Sequence, residues 1–331
     1  MRNHSISRRE ALKLVTAAAG SGLLAGVPAR AAGSQTATAG TQGASAASDA
    51  AAGPLVTPEW LKARLGQEGL VILDVTSPRF YARGHIPGAV FTAYDAWREK
   101  RNGVPGMMLA PEKMQTLIAR LGIGNEDHVI IVPAGYSSGD VGMATRVYWS
   151  LKTMGHERIA LLAGGMRAWL SARGYPLQQG QAKPVPKPFE ARFTDRWLAT
   201  AEDVAKALAK KDPQLVDNRP VGQHKGVFKS GSVLKYGTIP GAINVPEDWL
   251  AHKGRLLTRA QAARLHALLG VKPGAAIHFC NTGHRASLGW FVRSEILGEP
   301  SHLYDGSMAE WTRLDPATHP VMVALPIHEA R

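Results

Sequence analysis

A single cysteine, Cys280, stands in a chain of 331 residues. No disulfide can form within the chain, so the fold is not stapled, and zinc motifs built on paired cysteines are excluded. Acidic side chains are also scarce: 26 Asp and Glu face 39 Lys and Arg, a formal charge of +13. Such an excess suits nucleic acid or small anions. The chain has no Arg/Lys-rich helix and no RNP-like aromatic run, which argues against nucleic acid. Long apolar runs are missing too. The stretch from Leu14 to Val27 is interrupted by Gly20, Gly22 and Gly26. It falls short of the ~20 residues that a spanning helix needs.

That stretch belongs to a leader. Ser7-Arg8-Arg9-Glu10-Ala11-Leu12-Lys13 resembles a twin-arginine motif, with Ala11 where an aromatic is usual. Ala29-Arg30-Ala31 offers a small-residue cleavage site. The three parts in order predict a signal peptide over 1–31, export to the periplasm or beyond, and no stable membrane insertion after cleavage. Cleavage after Ala31 removes five basic residues (Arg2, Arg8, Arg9, Lys13 and Arg30) and one acidic residue (Glu10), leaving a net charge of +9. Residues 32–54 are almost wholly Ala, Gly, Ser, Thr and Gln, the composition of a flexible tether.

Ordered structure is expected from Leu55, with Thr57 as an N-cap ahead of Pro58. A proline-rich linker, 178–190, divides the remainder into a first half, 55–177, and a second half, 191–325. The halves repeat one another. Leu70-Val71-Ile72-Leu73-Asp74 answers Gln214-Leu215-Val216-Asp217, and Gly84-His85-Ile86-Pro87-Gly88-Ala89 answers Gly237-Thr238-Ile239-Pro240-Gly241-Ala242. Val129 to Val132 answers Ala276 to Phe279. Short β-rich runs alternate with helical runs in each half. The expected class is α/β, two tandem domains, each a mainly parallel sheet flanked by helices.

Cys280 follows one of these apolar runs. The spacing predicts a strand over 275–279, a tight six-residue loop from Cys280 to Arg285, and a helix over 288–297. A lone cysteine is more often a buried, inert side chain. A thiol between a strand end and a helix start meets backbone N–H groups and the positive end of a helix dipole. Such a setting makes sulfur nucleophilic. The corresponding loop of the first half, Pro133 to Asp140, reads as several residues longer and has no cysteine. Its Ser137 and Ser138 lack the Gly-x-Ser-x-Gly elbow of a serine nucleophile. A cysteine phosphatase needs a longer loop, with arginine six positions after the cysteine, where Ala286 stands. A metal site from His278, Cys280 and His284 has no spaced ligand pair to support it.

The repeat, the strand-end Asp74 and Asp217-Asn218-Arg219, the two Ile-Pro boxes, Cys280-x-x-Gly-x-Arg285 and Asp305-Gly306-Ser307-Met308 together resemble the tandem-domain rhodanese family of sulfurtransferases. The resemblance covers Val56 to Val323. It implies an inactive first domain and a catalytic Cys280 in the second, with no cofactor. It implies a small anionic sulfur donor, thiosulfate or 3-mercaptopyruvate, a Cys280 persulfide, and cyanide or a thiol as acceptor. A non-catalytic sulfur carrier or partner-binding protein on the same scaffold is the alternative.

Around Cys280, Asn281 and Thr282 offer side-chain hydrogen bonds, and Gly283 lets the backbone turn. His284 reads as a cation or donor at the pocket mouth, or as simply exposed. Arg285 suits donor oxygens or a pairing with an acid such as Asp217, and the structural role is favoured. Arg219 is expected to brace the loop beside Asp217. Thiosulfate-specific relatives tend to carry lysine two residues after the cysteine, where Thr282 stands. Many tandem members carry an arginine at the position of Gln223, for which Lys225 or Lys235 is a substitute. Thr282 is closer to the mercaptopyruvate-type loop, while Gln223 argues against a carboxylate clamp, so the donor stays open.

Overall fold

Short hydrophobic strands, each followed by a helix, have to pair in parallel, because every return to the sheet needs a crossover. The computed structural model describes residues 53–325. The first half runs β1 (Leu55–Val56), α1 (Pro58–Lys62), β2 (Leu70–Asp74), α2 (Pro78–Arg83), β3 (Val90–Phe91), the hairpin β4 (Arg98–Arg101) and β5 (Val104–Met108), α3 (Pro111–Arg120), β6 (His128–Val132), α4 (Ser138–Thr153), β7 (Ile159–Leu162) and α5 (Gly165–Ser171). Five of its strands form a parallel sheet in the order β1-β7-β6-β2-β3.

The second half repeats this plan. It runs β8 (Leu198–Ala199), α6 (Ala201–Lys210), β9 (Gln214–Asp217), α7 (Val221–Lys225), β10 (Ile243–Asn244), the hairpin β11 (Ala251–His252) and β12 (Arg255–Leu256), α8 (Arg259–Leu268), β13 (Ala276–Phe279), α9 (His284–Phe291), β14 (Ser301–Tyr304) and α10 (Ser307–Trp311). Its sheet order, β10-β9-β13-β14-β8, is equivalent strand for strand. Even the register repeats: Asp74 lies opposite Val132, and Asp217 opposite Phe279. The α/β architecture is the one the alternating pattern predicts.

Local signals account for the helix starts. Thr57 Oγ1 accepts from Trp60 N, and Thr200 and Thr258 close capping boxes with Asp203 and Gln261. The helix after Cys280 differs from expectation. It begins at His284 rather than 288, because Gly283 takes a left-handed conformation and reverses the chain at once. After Phe291 it widens into a π-turn over Val292–Ile296. The connection is therefore four residues, 280–283, against five, 133–137, in the first half, one residue apart rather than several.

Residues 178–190 form no helix and no strand beyond a single bridge from Gln178 to His85. They run against the first half, where Lys187 Nζ lies 2.8 and 2.9 Å from the Asp127 carboxylate and Phe189 is buried. The expected signal peptide, and the tether up to residue 52, lie outside the described residues. Among the described residues no helix is long and apolar enough to cross a membrane.

One hydrophobic cluster crosses the boundary between the halves. It joins Val147, Trp149 and Leu151 of α4 to Ala286, Trp290 and Phe291 of α9, and includes Cys280. A second, built from Ile277, Phe279, Tyr304 and Trp311, lies within the second half.

Candidate active site

β13 is buried along its whole length and ends at Phe279, which leaves Cys280 at the carboxyl end of the central strand, 1% exposed. Open α/β sheets bind ligands beyond such strand ends. The turn from Cys280 to Gly283 depends on glycine. Gly283 has φ +72°, and a Cβ there would collide with the Arg146 guanidinium and the Asp305 carbonyl. Ser307 fastens both ends of the turn. Its Oγ accepts from Cys280 N at 3.1 Å and Gly283 N at 3.0 Å, and donates to Tyr304 O at 2.8 Å. Met308 N and Ala309 N donate to the carbonyls of Cys280 and Asn281. The first amides of α9, at His284, Arg285 and Ala286, have no partner within their helix and present its positive end to the turn.

The structure brings most of the sequence-nominated residues to this turn. Asn281 is buried and donates from Nδ2 to Gln223 Oε1 at 2.9 Å. Thr282 packs against Gly106 of the β4–β5 hairpin: a Cβ on Gly106 would lie 3.1 Å from Thr282 Cβ. His284 is half-buried, and its Nδ1 lies 2.7 Å from the Tyr94 hydroxyl. It is not a cation. Burial first, then Arg98, Arg285 and Arg146, push its pKa down to about 3. Burial likewise pushes the Tyr94 phenol up to about 12, against the pull of Arg146 and Arg98 and with a further push from Cys280. Arg285 pairs with Glu247, Nε to Oε1 at 3.1 Å, and not with Asp217.

Asp217 has partners of its own. Arg219 donates to it from Nε at 2.9 Å and from Nη2 at 2.7 Å, and Thr238 Oγ1 at 2.8 Å. Burial alone would raise this carboxyl; Arg219 and His224 outweigh it and hold the group below the usual carboxylate range. Arg219 also donates to Gly237 O at 2.8 Å, so it braces the second Ile-Pro box. The Thr238 hydroxyl explains why this box departs from the first. There Asp74 takes its hydrogen bonds from Thr76, and His85 instead stacks on Tyr81. Lys225 is not brought to the turn among the described contacts; its carbonyl accepts from Leu325 N. His278 is buried and engaged by Asn218 at 2.9 Å.

Several residues at the site escaped the sequence reading. Tyr94, Arg98, Gly106 and Arg146 all come from the first half. Arg146 is fully buried and pairs with Asp305, which also accepts from Met108 N at 2.8 Å. Thr145 and Ser287 hydroxyls meet at 2.9 Å. Arg146 did carry a signal, a charge inside the apolar helical run around Val147, Tyr148 and Trp149. Tyr94 and Arg98 carried none. In the first half itself, Pro133 takes the place of Cys280, and Ser137 is occupied as the cap of α4, accepting from Asp140 N.

A rhodanese-like domain family matches residues 57–172 and again 200–314. The chain belongs to the rhodanese family. Human 3-mercaptopyruvate sulfurtransferase is 29% identical over 270 residues, spanning 78% of this rhodanese and 84% of the human protein. Thiosulfate sulfurtransferase of Pseudomonas aeruginosa is 31% identical over 262 residues, spanning 78% and 93%. The solved 3-mercaptopyruvate sulfotransferase of Escherichia coli superposes with a TM-score of 0.68 at 26% identity, over 77% of this chain and 99% of that one. Sulfur-transferring enzymes thus match most of its length, and this rhodanese is a sulfurtransferase.

Proposed function

We propose that this rhodanese moves a sulfane sulfur from thiosulfate or 3-mercaptopyruvate to cyanide or a thiol, through a persulfide on Cys280. The observation that carries the reading is the position of the chain's one thiol. It sits at the carboxyl end of the central strand, in a turn faced by the start of α9, and the first half has Pro133 there.

Cys280 reacts as thiolate. It attacks the outer sulfur of the donor and forms an S–S bond, while the old bond to that sulfur breaks. The electron pair leaves with sulfite, or with the enolate of pyruvate, which then takes up a proton. The persulfide left on Cys280 is an anion, and the α9 amides at His284 and Arg285 suit its terminal sulfur. Cyanide or a thiolate attacks that sulfur and regenerates the Cys280 thiolate, a ping-pong cycle. Asn281, Thr282 and Gly283 shape the turn, while Asp217 and Arg219 brace the neighbouring strand end. The twin-arginine-like leader supports a place for this chemistry outside the cytoplasm.

The test is cyanide-dependent turnover with each donor, beside intact-protein mass after donor alone. Wild type is expected to gain one sulfur and to turn over. Cys280→Ser is expected to do neither. Equal turnover in the two proteins would remove Cys280 from the mechanism.

A further inference from the structure

We propose that the first half, which has no nucleophile, supplies the seat for the donor's anionic oxygens: the guanidinium of Arg98, held over the Cys280 turn by Tyr94. The inference rests on the Cys280 reading and names the substrate contact that reading leaves open.

Arg98 opens the β4–β5 hairpin. Its guanidinium carbon lies 4.1 Å from the centroid of the Tyr94 ring, and the Tyr94 hydroxyl reaches His284, the first residue of α9 after the turn. A Cβ built on Gly106 would lie 3.4 Å from Arg98 Nη1 and 3.1 Å from Thr282 Cβ. Arg98 and Thr282 therefore face each other across a residue with no side chain. Gly106 has φ +77°, so its bare backbone suits the hairpin as well as the gap.

Charge accounting singles out Arg98. Arg146 is tied to Asp305 and Arg285 to Glu247, and both carboxylates are 7% exposed. The donors of Arg219 go to Asp217 and Gly237 O. Arg98 instead meets Asp95, which is 88% exposed, and ion pairs so open to water neutralise little. Arg98 Nε is buried with no hydrogen-bond partner, as are Nε and Nη1 of Arg146 and Nε of Arg285, but of the three only Arg98 lacks a buried carboxylate. An incompletely neutralised guanidinium facing Thr282 of the Cys280 turn, with a fork to spare, suits a carboxylate or a sulfonate on the donor. It stands in for the arginine that Gln223 replaces.

The chain's single cysteine makes the test direct, since alkylation reads Cys280 alone. Iodoacetate and iodoacetamide differ in charge at nearly equal size. Arg98→Ala is expected to lower the iodoacetate rate about tenfold and leave the iodoacetamide rate unchanged, with donor KM raised by a similar factor and kcat little altered. Arg98→Lys is expected to keep most of the preference for iodoacetate. Tyr94→Phe keeps the stacked ring and is expected to keep it too. An unchanged reagent ratio in Arg98→Ala, or an equal fall with both reagents, overturns the seat. Either result leaves the Cys280 cycle standing, which Cys280→Ser tests separately.

Discussion

At neutral pH the imidazole of His284 carries no charge, because burial and three guanidinium groups bring its pKa from 6.5 to about 3. This depressed value has a consequence for stability. Between pH 6.5 and about 3 the unfolded chain binds a proton at His284 that the folded chain refuses. The contribution is therefore whole above pH 6.5 and is lost as the pH falls through that window, up to a few kcal/mol. His284→Gln keeps an acceptor for Tyr94 but cannot titrate. Urea midpoints measured from neutral to acid pH are expected to fall less steeply in His284→Gln. The slope should not vanish, since burial depresses His266 and His278 in the same direction. Identical slopes would show that His284 is not held neutral by the fold. The sequence put a histidine four places after Cys280, yet its charge state was illegible there. It depends on burial first, and then on Arg98 and Arg146, which reach it from the other half through tertiary packing.

Between residue and domain, the turn 280–283 behaves as one element with α10. The motif around Ser307 was legible as a family signature, but not its use. One hydroxyl holds two amides of a turn 24 and 27 residues earlier in the chain. Ser307 also takes φ +49°, a conformation non-glycine residues seldom adopt. Ser307→Ala leaves both buried amides without an acceptor, a loss of about 1–3 kcal/mol. Hydrogen exchange at the Cys280 and Gly283 amides is expected to quicken, and turnover to fall at least tenfold, because misplacing reacting atoms is costly. Unchanged exchange at both amides would mean that Ser307 does not hold the turn. The early start of α9 was hidden for a related reason. Nothing short of the clash at Gly283 with Arg146, again from the first half, shows how tightly the chain must reverse.

Across the whole molecule, the duplication was plain in the sequence, down to the strand-end aspartates. The proline-rich segment divides the chain into two repeated halves. The structure joins them: α4 and α9 share one hydrophobic cluster, Arg146 is buried against Asp305, and the Tyr148 hydroxyl donates to Glu295 at 2.8 Å. Hydrophobic periodicity reports that a face is buried, not which partner buries it. A core common to both halves implies common unfolding. Urea unfolding of the chain is expected to give one transition, coincident by tryptophan fluorescence and far-ultraviolet circular dichroism. Two resolved transitions would show that the halves stand alone.

The solitary cysteine has a last consequence, one of capacity. With no second thiol in the chain, a sulfur parked on Cys280 has no internal exit, and a resolving disulfide cannot form. In the proposed cycle each molecule accepts one sulfur and then waits. Discharge is second order, set by how often an acceptor collides with the loaded chain. Where acceptors are scarce the same protein is a reservoir, one sulfur per chain, and where they are plentiful it is a catalyst. Which of the two it is depends on its surroundings and not on its own fold.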